Sequence, residues 1–121
     1  MYGNHQTGRK GESVALLYLE QQGYKVIRVN WRYKHLEIDI VARDGDYLVF
    51  VEVKTRKDAS FGMPYEAVDL VKQRRLVRAA ERYLAVHPHM GDIRFDIVSV
   101  LYSDEHECYH AALIKDAFWP D

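Results

Sequence analysis

Apolar positions recur along this chain in two rhythms, one of about 3.6 residues and one of two, and the boundaries between them outline the elements. A helical rhythm runs from about Gly8 to Gln22, with Ala15, Leu16 and Leu19 as its buried stripe, Thr7 as N-cap and Gly23 as the stop. Residues 1–8 ahead of it read as a polar, flexible lead-in. Tyr24–Tyr33 reads as a strand, with Val26, Arg28 and Asn30 on one side and Ile27, Val29 and Trp31 on the other. Two β-branched runs then fill the stretch from Glu37 to Thr55, joined by Asp44-Gly45, a strong hairpin signal. Arg56 to Met63 reads as a loop, and a second helix spans Pro64 to about Val86, with a break near Asp69. Its core face is Leu76, Ala79, Ala80 and Tyr83, and Lys72 falls on the same stripe. Strands at Ile93–Tyr102 and Glu107–Ile114, separated by an acidic turn, complete the pattern, with Ala117-Phe118-Trp119 packing at the end. The order α-β-β-β-α-β-β predicts one α/β domain over residues 1–121, a central mixed sheet flanked by helices.

Charges interrupt this pattern at one place. Glu37, Asp39, Glu52 and Lys54 stand inside the two apolar strands, where a charge costs free energy unless it is paired, solvated or holding a metal. With Asp44 and Gly45 as the loop, Asp39 lies opposite Phe50 and Glu37 opposite Glu52. Asp39, Glu52 and Lys54 then share one face, and Ile38, Ile40, Val49, Val51 and Val53 the other. A three-residue loop or a bulge would reverse the facing of Asp39. Glu12, at helical spacing from the buried stripe of the first helix, is a candidate to join them, although a carboxylate in a first turn also suits the helix dipole.

Composition narrows the class. The 121 residues are 48% hydrophobic and 12% aromatic, the profile of a folded globular chain. No apolar run approaches the roughly 20 residues of a membrane span, residues 1–12 lack a signal peptide's hydrophobic region, and the single cysteine excludes an intrachain disulfide, so a cytoplasmic location is expected. The net charge of −1 hides an asymmetry: residues 1–82 carry +4 and residues 83–121 carry −5. The basic part includes an aromatic-bearing turn, Arg32-Tyr33-Lys34-His35, then Arg56 and Lys57, and the helical Arg74, Arg75, Arg78 and Arg82. These side chains suit phosphate contacts as well as an ordinary solvated face. His106, Cys108 and His110 alternate along the last strand, but no fourth ligand is spaced to complete a zinc site.

Three carboxylates repel one another unless a cation joins them, and hard oxygen donors suit Mg²⁺ or Mn²⁺. A lysine two residues beyond such a ligand can activate water or offset transition-state charge, which describes phosphodiester hydrolysis.

The spacing Asp39…Glu52-Val53-Lys54 resembles the D…(D/E)xK signature of the restriction-endonuclease-like nuclease superfamily. The ordered set Gly8-Arg9-Lys10-Gly11-Glu12, Asn30-Trp31-Arg32, Glu37-Ile38-Asp39, Phe50 through Arg56, Phe61-Gly62, Arg94-Phe95-Asp96 and Ala117-Phe118 resembles the YraN-like bacterial family, whose fold is similar to that of archaeal Holliday-junction resolvases. The resemblance implies that Asp39, Glu52 and the Val53 carbonyl bind metal, that Lys54 is the catalytic base and that Glu12 is an additional acid. Lys72 and Glu37 are auxiliary candidates. Leu36 departs from the family's usual glycine. The expected partner is DNA, branched or otherwise structured. A four-way junction would favour a homodimer, though no segment marks a dimer surface. A non-catalytic nucleic-acid-binding module on the same fold is the alternative.

Overall fold

The computed structural model describes residues 2–57, 70–103 and 108–119, with side chains from Lys10 onward. Helix α1 (Tyr2–Gln21) precedes strands β1 (Lys25–Tyr33), β2 (Leu36–Asp44) and β3 (Tyr47–Lys57); helix α2 (Leu70–Val86) then leads to β4 (Ile93–Ser103) and β5 (Cys108–Ile114). The strands form one sheet in sequential order. β3 and β4 pair in parallel at its centre and every other pair is antiparallel, so the expected single-domain α/β architecture with a mixed sheet is what the chain adopts.

Each helix covers one face, because the strands are apolar on both. Ala15 and Leu19 of α1 pack on Ile40, Ala42, Val49, Val51, Val98 and Val100. Leu76, Ala79, Ala80 and Tyr83 of α2, the four residues expected to face the core, pack on Ile38, Val41, Leu48, Phe50 and Phe95. Gly23 ends α1 as its position implied. At φ 92° it sits in the left-handed region, with Gly23 N–H donating to the Glu20 carbonyl and Tyr24 N–H to the Leu19 carbonyl, the two bonds of a Schellman stop.

Four local expectations need correction. The α1 backbone is helical from Tyr2, which places Thr7 inside the helix and removes it as N-cap. The β2–β3 loop is Gly45-Asp46, since Asp44 pairs with Tyr47. Asp44 is retained in the strand by its ion pair with Arg94, and Gly45 supplies the positive φ (60°) that a type II′ turn needs at its first loop position. This moves the register by two residues: Ile40 lies opposite Val51, and the expected pairings of Asp39 with Phe50 and Glu37 with Glu52 do not form. In β1 the register shifts between Val26 and Arg28, so these residues do not share a face as strict alternation required. Finally, Arg56 and Lys57 continue β3, paired with Leu101 and Tyr102, and do not begin a loop. The remainder of that loop, the start of the second helix near Asp69, and His106 lie outside the described residues.

Candidate functional site

A break in the alternation of β2 builds the site. Ile38 packs toward α2 and Ile40 toward α1, two residues apart yet on opposite faces, so the expected grouping of Ile38 with Ile40 fails. The intervening residue is Asp39. In β1, Asn30 takes a left-handed φ of 53°, which keeps β1 in step with β2: Val29 opposes Ile40 and Trp31 opposes Ile38. The β2–β3 ladder stops at Ile40 and Val51, and the Val53 N–H, beyond that last pair, donates instead to Asp39 Oδ2 at 2.8 Å. The side chain of Asp39 thus supplies an acceptor where the strand backbone has left off, and its carboxylate is fixed in return.

Glu52, next to Val53 on β3, faces α2 and meets Asp39. Asp39, Glu52, His35, Glu37, Lys72, Arg75 and Leu76 line a cleft of about 260 Å³ between α2 and the β1–β2 turn. Burial, above all, raises both acids: Asp39 to about 6, against the lowering effect of the Val53 N–H, and Glu52 to about 8, with the Asp39 charge as second cause and Lys72 opposing. The two carboxyls interact directly by charge and by hydrogen bonding, so they titrate as a pair. Lys54 lies beside them, next to Lys72; burial and then the Lys72 charge hold its ammonium below the ordinary lysine range.

The remaining candidates divide. Glu12 accepts a long hydrogen bond from Asn30 Nδ2 (3.4 Å) and stands near enough to Asp39 for its charge to raise it. Among the described residues, no three of His, Cys, Asp and Glu are placed to hold one ion together, so Glu12 stands apart from the Asp39–Glu52 pair. Glu37 pairs with Arg32 at 3.5 Å, both exposed, while its carboxylate still acts on Asp39 and Glu52. Lys34 takes a left-handed φ of 55° at the tip of the β1–β2 turn, two residues before Leu36, which is an ordinary strand residue opposite Tyr33. Arg75 enters the site, whereas Arg74 and Arg78 face the opposite flank of α2. Arg82 donates to the Tyr33 hydroxyl (2.8 Å) and lies over its ring. Cys108 Sγ and His110 Nε2 are 3.5 Å apart at the far edge, remote from the carboxylate pair in the strand order.

A divalent ion suits this donor set. Mg²⁺ and Mn²⁺ are commonly held by one or two carboxylates, with water and substrate oxygens completing the shell. Two adjoining half-buried acids that resist ionising together are the kind of pair a cation relieves.

Sequence reasoning passed over a second polar cluster. Arg94 forms a fork onto Asp96 (Nε to Oδ1 2.8 Å, Nη2 to Oδ2 2.9 Å), and its Nη2 also reaches Asp44 and the Tyr24 hydroxyl, each at 2.8 Å. The Tyr24 hydroxyl donates to Asp96 Oδ2 at 2.7 Å, and Asp116 N–H to Oδ1 at 3.0 Å. Arg94 and Asp96, opposite charges two residues apart in a β run, were the visible signal, and the structure buries both. Every carboxylate oxygen of Asp96 is engaged by protein, which marks this cluster as a structural junction and leaves the open cleft as the functional candidate.

Fold and site together define a small α/β protein whose mixed sheet presents a carboxylate pair beside two lysines. The chain belongs to the uncharacterised protein family UPF0102, the YraN-like proteins, whose family model matches residues 11–100. It is 43% identical over 120 residues to a UPF0102 protein of Bacteroides thetaiotaomicron, covering 99% of this chain and 98% of that relative. It is likewise 43% identical over 116 residues to one from Chlorobium chlorochromatii (93% and 90%), and 52% identical over 95 residues to one from Beutenbergia cavernae (78% and 80%).

Proposed function

We propose that the chain is a Mg²⁺- or Mn²⁺-dependent nuclease that hydrolyses phosphodiester bonds in DNA. The observation that carries this reading is the Asp39–Glu52 pair, half-buried together at the point where β2 leaves β3, with Lys54 and Lys72 alongside. Asp39, Glu52 and the Val53 carbonyl would hold the cation, with Glu12 acting on the site through Asp39. When bound, the ion acidifies a water and offsets charge on the phosphoryl oxygens. The protein's share is positional and acid–base. Val53 N–H fixes the Asp39 carboxylate, so one ligand is oriented before anything binds. Lys54, depressed by burial and by Lys72, can take the proton of the attacking water as its oxygen bonds to phosphorus; the bond to the leaving oxygen breaks and that oxygen takes a proton from solvent. Lys72 favours the ionised form of Glu52, and Arg75 and His35 line the approach, where a substrate phosphate would enter.

Linear, nicked, flapped and four-way DNA, incubated with Mg²⁺ or Mn²⁺, tests the reading. Wild type should cleave at least one of them, and Asp39→Asn and Lys54→Ala should each lose about 100-fold or more. Equal cleavage by these variants, or none by wild type, would refute catalysis. Salt-sensitive binding that survives chelation and the loss of Lys54 would instead identify a non-catalytic nucleic-acid-binding module.

A further inference from the structure

The flank of α2 turned away from the carboxylate pair carries a second cleft, of about 280 Å³, closed on its other side by the C-terminal segment. Val77 and Phe118 give it an apolar wall, and the Phe118 ring is fixed by stacking on Phe95 at 5.2 Å between centroids. Arg74 and Arg78 stand on the helix side, opposite Trp119, a residue that is 53% exposed. An indole is costly to leave in water, and an exposed one beside two guanidinium groups matches the combination that binds single-stranded nucleic acid: a ring for a base to stack on and cations for the adjoining phosphates.

Two observations tie this cleft to the first. The seventeen residues of α2 carry Lys72, Arg74, Arg75, Arg78 and Arg82 against Glu81 alone, a balance that favours a polyanion over a neutral or basic peptide. Arg74 and Arg75 are consecutive, yet one lines each cleft. The clefts therefore lie on either side of one helix, whose diameter with side chains is about 10 Å. A paired base has both faces stacked within the duplex and cannot meet Trp119 without being extruded, whereas an unpaired base meets it at little cost.

We propose that the Trp119 cleft binds an unpaired nucleotide of the same nucleic acid whose phosphates enter the carboxylate site, making the substrate a duplex that adjoins a single-stranded stretch. This rests on the nuclease reading for the role of the first site, while the binding it describes can be measured alone. The measurement is fluorescence anisotropy in chelator, where no strand is cut, comparing a blunt duplex with the same duplex bearing a short single-stranded overhang. Wild type should prefer the overhang. Trp119→Ala should weaken overhang binding about tenfold, the worth of one stacked base, while blunt-duplex binding stays within twofold. Trp119→Phe, which keeps a stacking face, should recover most of the loss, and Arg74→Ala with Arg78→Ala should reproduce it. Equal weakening on both DNAs, or no effect of Trp119→Ala on the overhang, overturns the proposal. Cleavage by wild type with Mn²⁺ is scored apart. Absence of cutting alongside a Trp119-dependent overhang preference would remove the catalytic reading and leave the single-strand cleft standing.

Discussion

At the scale of single residues, Asp39 is both a structural acceptor and a candidate ligand. Its hydrogen bond from Val53 substitutes for a ladder bond, and its burial against Glu52 makes the pair reluctant to ionise. The folded values of about 6 and about 8 lie above the ordinary carboxylate values of 3.8 and 4.5, so the folded chain holds these protons more tightly than the unfolded one. That stability is fully present below about pH 4 and is lost as pH rises through about 6 and then about 8. In chelator, Glu52→Gln should therefore be the more stable protein at pH 9, by on the order of 2 kcal/mol, with little difference at pH 4. Urea denaturation at the two pH values measures this; parallel pH dependences for variant and wild type would contradict it. The residues of the site were legible because charges in a β-branched run stand out. Asn30 was not legible, since a left-handed backbone at an asparagine in a strand leaves no trace in the apolar alternation. Nor was the part played by Asp44, because Asp-Gly reads as a turn until Arg94, fifty positions away in the chain, is seen to claim the aspartate.

At the scale of elements, α1 approaches β3 so closely at one point that only glycine fits. A Cβ on Gly11 would overlap the hydroxyl and methyl groups of Thr55. Glycine inside a helix forfeits roughly 0.5–1 kcal/mol relative to alanine, so its presence in α1 reflects contact, not propensity. Gly11→Ala should destabilise the fold by about 1–3 kcal/mol through overpacking, and should displace Glu12, the next residue, from Asp39. Adding Thr55→Ala frees the space and should recover most of the loss, a coupling that a double-mutant cycle in urea would reveal. Without that recovery, the contact with Thr55 is not the cause. Helix and strand identities followed from apolar spacing, and the α2 core face was correct residue for residue. Facing within β1 and β2 was less accessible, because period-two counting assumes unbroken strands and both are irregular beside the site. Asp39 and Glu52 still meet on one face, because a two-residue register shift leaves facing unchanged, and Ile38, beyond the break at Asp39, is the residue that turns over.

At the scale of the whole molecule, the Arg94 junction gathers four distant pieces: the residue after the α1 stop, the end of β2, the start of β4 and the segment after β5. Arg94→Ala would leave Asp96, which has no exposed surface, as an uncompensated buried carboxylate. The expected cost is about 3–5 kcal/mol in denaturant unfolding, with Arg94→Lys intermediate because it keeps the charge but not the fork. An Arg94→Ala protein of wild-type stability would show the junction to be ornamental. Charge is also arranged globally, with the basic helix α2 above the site and the acidic balance in residues 83–121, so steering of a polyanion would be local to one side of α2. The central parallel pairing has a consequence in time. Leu48 and Ile93, 45 positions apart, must meet across α2 before the middle of the sheet exists, whereas the pairs of the first two hairpins, from Lys25 with Arg43 to Asp44 with Tyr47, are at most 18 positions apart. A chain leaving the ribosome can therefore pair β1, β2 and β3, bringing Asp39 and Glu52 together, well before β4 locks them into a rigid body. Closure of β4 against β3 is the step expected to govern how fast newly made molecules mature.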